Sequence, residues 1–208
     1  EYIAAEIIRD LMGSDLCLDI HASNIYLTEV PQIRINELHE KELVPLAEQA
    51  NVDFVWVHGA STVLESTLAY SLNSRGVPCL VVEMGVGMRI TRSIGDQMTE
   101  GIFNLMKTLG IWQGEVGEIR KPVVSADPEE VFFLNASRSG IFVQEARHNT
   151  YLKKGDSIGK VIDPLEGTVL EDVVSPEDGL LFTIREYPVV DEGSLMARIL
   201  RTKERQED

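Results

Sequence analysis

Basic residues are scarce in this chain. Nineteen lysines and arginines stand against 34 aspartates and glutamates, a net charge of −15. A nucleic-acid binder needs a basic footprint, and none exists here, so no nucleic-acid partner is expected. The same acidity argues against docking on anionic membranes. Long apolar runs are missing too: no stretch reaches the roughly 20 residues needed to span a bilayer. The opening EYIAAEIIRD carries acids early and lacks the basic start of a signal peptide. Cysteine is nearly absent. Cys17 and Cys79 each lie in an apolar, strand-like run and read as two buried free thiols, which fits a reducing, cytoplasmic setting. Their spacing gives no zinc motif. Finally, no Ser, Thr, Asp or Asn caps the helical pattern that starts at Glu1. The chain is therefore expected to open in mid-helix, as the later part of a larger domain.

What is present is room for one medium domain and a small one: 208 residues, 44% of them hydrophobic. Ile3, Ile7, Leu11 and Met12 predict an apolar helical stripe over residues 2–12, stopped by Gly13. Residues 15–21 read as a strand and 22–35, with Pro31 in the middle, as loop. INELHEKELVPLAEQA is amphipathic at helical spacing, with Pro45 as a kink or a new start. VDFVWVHGA predicts a strand. STVLESTLAYSLNSRG predicts a helix capped by Ser61 or Thr62 and stopped by Gly76. VPCLVVEMG is a continuous apolar strand, and ITRSIGDQMTEGIFNLMKTLG a long helix ending at Gly110. Alternating strands and helices define an α/β layer domain, and the unbroken run from Val77 to Val82 predicts a strand covered on both faces.

In open α/β sheets, ligands collect beyond the carboxyl ends of the strands. Three predicted strands end in Asp19 and His21, in His58, and in Glu83. As parallel neighbours they would share one rim.

From residue 123 the texture changes. Helical periodicity stops, and short β-like runs alternate with Gly, Asp and Pro. SGIFVQEARHNTYLKKGDSIGKV aligns with DGLLFTIREYPVVDEGSLMARI, matching Gly140 and Gly155 to Gly179 and Gly193 within one residue. Each half reads as a hairpin-forming unit, and two could close a small sandwich or barrel. The predicted division is 1–122 α/β, 123–200 β, and a solvated tail at 201–208.

Each candidate site residue has a structural alternative. His21 at a strand end suits a zinc ligand, and Asp19, two residues back on the same face, suits a supporting acceptor; a hydrogen-bonded structural histidine is the alternative. Glu83 closes a run of apolar residues, so its charge needs a cation, a solvent cleft or a raised pKa. A general base uses such a setting; a surface pair with Arg89 or Arg92 is the alternative. His58 could line the same rim or be structural. HEKE, residues 39–42, has H-x-x-E spacing but lies on a charged helix and reads as solvated. Gly85 and Gly87 lack dinucleotide-fingerprint spacing and read as a turn beside a pocket. The β-module has no lysine at a central hairpin tip, which argues against covalent carriage of a cofactor.

Together, DLCLDIHAS, GVPCLVVEMGVG and the appended repeat module resemble the succinylglutamate desuccinylase/aspartoacylase family, relatives of the zinc carboxypeptidases. The resemblance spans essentially the whole chain. It implies part of a three-layer α/β/α zinc-carboxypeptidase-like sheet domain followed by a small all-β barrel-sandwich-like domain. It implies zinc as cofactor, His21 as a metal ligand, Asp19 as its support and Glu83 as general acid/base. The implied reaction is hydrolysis of a linear amide in a small-molecule substrate, removing an acyl group from an amino-acid-like amine. Ser23, His58 and Arg89 are candidate substrate contacts. The family's H-x-x-E zinc pair and its carboxylate-holding arginines precede D-x-H and have no counterpart here. An inactive relative acting as a binding or regulatory protein, and a carboxypeptidase-like protease, are the alternatives; a homo-oligomer is left open.

Overall fold

The computed structural model describes residues 2–59 and 66–202, and the chain divides into two compact units. The first comprises Glu1–His21, Pro31–Met84 and Ile90–Ala126; the second comprises Ala22–Val30, Gly85–Arg89 and Asp127–Asp208.

The first unit is built from α1 (Tyr2–Leu11), β1 (Cys17–Ala22), most of β2 (Leu27–Asn36), α2 (Glu40–Ala47), β3 (Phe54–His58), α3 (Leu68–Asn73), β4 (Cys79–Gly85), α4 (Arg92–Thr108) and β5 (Val123–Ser125). Its strands lie in the order β1-β4-β2-β3-β5. The β2–β3 and β3–β5 pairs are parallel. Strand β4 shows why its sequence is apolar without interruption. Leu80 and Val82 pack with Ile33, Ile35, Val55, Val57, Met98 and Leu105. Cys79, on the other face, packs with Ala69 and Leu72 of α3 and with Ile8 and Leu11 of α1. Each such aliphatic side chain contributes about 1.5–3 kcal/mol by leaving water.

Several sequence expectations are corrected. Residues 27–36 are a ten-residue strand rather than loop. Pro31 is a local signal against this strand, because a proline usually excludes a central one. Here it falls between two pairings of β2, Leu27–Glu29 with one partner strand and Gln32–Asn36 with β3, so its missing N–H breaks neither ladder. Pro45 lies inside α2. The packing face of α1 is Ile8 and Leu11, while Ile3 and Ile7 are exposed. Val123–Ser125, expected in the β-module, pairs in parallel with β3; three residues are too few to carry a periodic signal. The proposed caps Ser61 and Thr62, Glu1, and residues 203–208 of the tail lie outside the described residues. Thr67 caps α3, its Oγ1 accepting from the backbone N–H of Tyr70.

The second unit carries the internal repeat as two interlocked halves. The first half is β6 (Val131–Asn135), β7 (Gly140–Gln144), β8 (Thr150–Leu152) and β9 (Ser157–Ile162); the second is β10 (Val169–Val174), β11 (Gly179–Arg185), β12 (Val189–Val190) and β13 (Leu195–Arg201). Within each half the second and fourth strands pair: β7 with β9, and β11 with β13. The first and third strands cross over to the other half. β6 pairs with β13 and β10 with β9, while β8 pairs with β11 and β12 with β7. The registers correspond: Gly140 faces Val190, and Gly179 faces Leu152. All these pairings are antiparallel. The shared core includes Phe142, Ile158, Val161, Leu181, Ile184, Met196 and Ile199.

The two strand-opening glycines have a steric reason. A Cβ on Gly140 would come within 2.7 Å of the Ile162 carbonyl oxygen, and one on Gly179 within 2.2 Å of the Leu200 carbonyl oxygen. Both close approaches recur at equivalent points of the repeat, so the sequence symmetry is a packing symmetry.

Candidate functional site

A cavity of about 500 Å³ opens in the first unit. Its walls include Asp19 and His21 from β1, Arg34 and Asn36 from β2, His58 at the end of β3, and Glu83 from β4. Residues 67–70 at the start of α3 close another side. The polar groups come from four strands because side chains two apart on a strand share a face. Asp19 and His21 are one such pair, and Arg34 and Asn36 another.

His21 and Asp19 are in contact, with Nε2 3.0 Å from Oδ1. A carboxylate can only accept, so this bond places the imidazole proton on Nε2 and leaves Nδ1 as the ring's lone pair in the neutral form. His21 is 48% exposed at its side chain and Asp19 22%. Glu83 is further in, 18% exposed, and its Oε1 lies 3.5 Å from Arg34 Nη1. The cation expected beside Glu83 is therefore Arg34, and neither Arg89 nor Arg92 takes that place. Arg89 pairs with Glu186 in the second unit.

His58 occupies the strand end predicted for it. Its pKa is lowered, chiefly by burial and further by the Arg34 charge; a hydrogen bond with the Gly59 carbonyl and the Glu37 carboxylate act the other way. The Nδ1 to Gly59 oxygen distance is 3.3 Å. Since the carbonyl cannot donate, Nδ1 carries the proton and Nε2 is bare when the ring is neutral. The Trp56 ring lies 5.3 Å from the imidazole.

The structure thus brings Asp19, His21, His58 and Glu83 to one cavity. Ser23 and Arg89 do not line it; both belong to the second unit, where Ser23 is buried. There Gly87 passes so close to the Ser23 carbonyl oxygen that a Cβ would stand 2.6 Å from it. His39 and Glu42 are likewise absent from the cavity wall. The sequence expectation hides both residues, since Arg34 falls in the expected loop and Asn36 in the expected helix INELHEKELVPLAEQA, whereas both lie on β2. The signal was present in QIRIN, where a cation alternates with two isoleucines that are fully buried.

With the fold and cavity defined, comparison places the chain among known structures. No known family's sequence profile matches it, and no curated protein matches it by sequence. Solved structures do match, and they are succinylglutamate desuccinylase/aspartoacylase family proteins. A succinylglutamate desuccinylase from a Silicibacter species superposes with a TM-score of 0.79 at 19% identity, over 96% of this chain and 62% of its own. A succinylglutamate desuccinylase/aspartoacylase from Rhodobacter sphaeroides gives 0.76 at 16% identity, over 97% and 62%. The ectoine utilization protein EutE (DoeB) from Ruegeria pomeroyi gives 0.79 at 19%, over 96% and 64%. At such identities the likeness establishes the fold: a mixed α/β chain with the desuccinylase/aspartoacylase architecture. The chain spans just under two thirds of the length of these structures. Among the described residues no helix is long and apolar enough to cross a membrane.

The donor set can be tested against zinc, the metal implied by the resemblance. A protein zinc site takes at least three ligands from His, Cys, Asp or Glu. Among the described residues no group of three such side chains could hold a metal. The cavity supplies two imidazoles, His21 and His58, and two carboxylates, Asp19 and Glu83, but no three of these four form a metal-holding group, so the set does not fit a complete zinc site.

Proposed function

We propose that the cavity is the proton-handling part of a hydrolase site that removes the acyl group from an N-acyl amino-acid-like small molecule. The observation that carries this reading is the sharing of one cavity by Glu83 and the His21–Asp19 pair. The fold likeness to desuccinylases supports the choice of amide over other bonds. In this reading Glu83 takes a proton from the water that attacks the acyl carbon. The C–N bond then breaks, the same carboxyl returns the proton to the leaving nitrogen, and a carboxylic acid and a free amine result. Proton transfer of this kind contributes about 10²–10⁴ in rate. His58, neutral and with Nε2 bare, suits an acceptor for a substrate N–H. Zinc is the proposed cofactor, with His21 its ligand from this chain and at least two further ligands required from outside the described residues.

A second reading is favoured by that incomplete donor set: a protein that binds acyl amino acids without turning them over. Assay of an N-acetyl and N-succinyl amino-acid panel, with zinc supplied, separates the two. Hydrolysis that falls about 10²-fold or more in Glu83→Gln supports the hydrolase. Saturable binding with no turnover supports the binding protein. Equal turnover in wild type and E83Q overturns the role given to Glu83.

A further inference from the structure

The first unit holds a cation that the reaction outlined above does not use. We propose that Arg34 is a positioning residue, a guanidinium clamp fixed on an aromatic platform that holds the Glu83 carboxylate in its working orientation. The inference rests on the hydrolase reading of the cavity and adds a part to it.

Phe54, Trp56 and His58 alternate along β3 and so present their rings on one face. Phe54 and Trp56 are stacked, with centroids 6.1 Å apart and an interplanar angle of 21°. Trp56 and His58 follow at 5.3 Å. Arg34 is the register partner of Trp56 across the parallel β2–β3 pair. Its guanidinium carbon stands 5.7 Å from the indole centroid. An arginine on an indole face gains cation–π attraction and loses rotamer freedom. Its neighbours Ile33 and Ile35 are anchored in the core, so the backbone beneath it cannot drift.

From that fixed position Arg34 Nη1 reaches Glu83 Oε1 on the next strand, β4. No other arginine or lysine lines the cavity among the described residues. The carboxylate, 18% exposed, thereby has the cation on one side, its Oε1 3.5 Å from the guanidinium. A proton carrier works only within hydrogen-bond reach of the water and of the leaving nitrogen, and a displacement of about 1 Å can cost about 10²-fold. Lysine cannot replace the clamp fully, because its ammonium neither forks nor stacks.

The test uses Arg34→Met, which keeps the apolar stem, beside Arg34→Lys and Glu83→Gln, all in the full chain. Expected is a kcat about 10- to 100-fold lower in R34M with KM little changed. R34K recovers part of the loss, and free guanidinium added to R34M restores turnover. A merely structural role would show no such rescue. A kcat in R34M within about twofold of wild type overturns the proposal. The second readout needs no activity: the Arg34 side-chain N–H signals in proton–nitrogen NMR shift on Glu83→Gln. Signals that do not move overturn the clamp whether or not hydrolysis is seen. Shifted signals in a chain that hydrolyses nothing sustain the clamp and remove the hydrolase reading instead.

Discussion

Arg198 Nη1 donates to Glu29 Oε1 at 2.9 Å, and the two side chains are only 16% and 3% exposed. They are 169 positions apart in sequence. The bond ties β13 to the first residues of β2 within the second unit. Two charges taken out of water depend on each other, because removing one leaves the other buried and uncompensated.

Arg198→Met is therefore expected to destabilise the chain by about 3–5 kcal/mol. The double substitution Glu29→Leu with Arg198→Met should recover most of that loss. Urea denaturation of the three variants checks the cycle. Additive losses would show that the ion pair is not what holds the two strands.

The repeat glycines give a second prediction. Gly179→Ala places its Cβ 2.2 Å from the Leu200 carbonyl oxygen, and Gly140→Ala places its own 2.7 Å from that of Ile162. Backbone must move in both cases, at a cost of about 1–3 kcal/mol. The larger loss is expected at Gly179, where the approach is closer. Thermal unfolding of both variants ranks them.

His58 sets a pH dependence. Its folded pKa lies below the ordinary 6.5, chiefly because burial disfavours the cation. Above about 6.5 the ring is neutral in both folded and unfolded chains, so it contributes no slope. As pH falls below that value the unfolded chain takes up the proton first, and stability drops until the folded pKa is passed. His58→Asn should remove this part of the acid destabilisation. Denaturant midpoints at pH 7 and pH 5 for both proteins measure it. The His58 NMR titration should also move upward in Arg34→Met, since the Arg34 charge is one of the depressing causes.

Cys79 is expected to resist thiol reagents in the native state. Burial, followed by the neighbouring Cys17, raises its pKa far above the ordinary thiol value, and only the thiolate reacts. Alkylation at pH 8 should label Cys79 only under unfolding conditions. Rapid labelling of native protein would show that the α3–β4 packing opens readily.

Much of this architecture was legible in the sequence. The unbroken apolar run of β4 announced a strand buried on both faces, and the packing of Cys79 against α3 and Leu80 against the main core is why it could. The matched glycines 140 and 179 announced the repeat. Strand-end placement put Asp19, His21, His58 and Glu83 on one rim, and all four line one cavity. Strand β2 was illegible because Pro31 is a local signal against a strand, whereas its tolerance depends on two different pairings either side of it. With β2 went Arg34 and Asn36.

The sequence by itself determined β4 as a strand covered on both faces, the long helix α4 and the repeat marked by Gly140 and Gly179, because hydrophobic periodicity and glycine sterics act within a few residues. Only the tertiary structure decided that the halves exchange their first and third strands, and that the cation beside Glu83 is Arg34 from β2 rather than a nearer arginine. Pairing and charge contact join residues that chain order separates. Their free energy depends on distances that exist only once the sheets have formed.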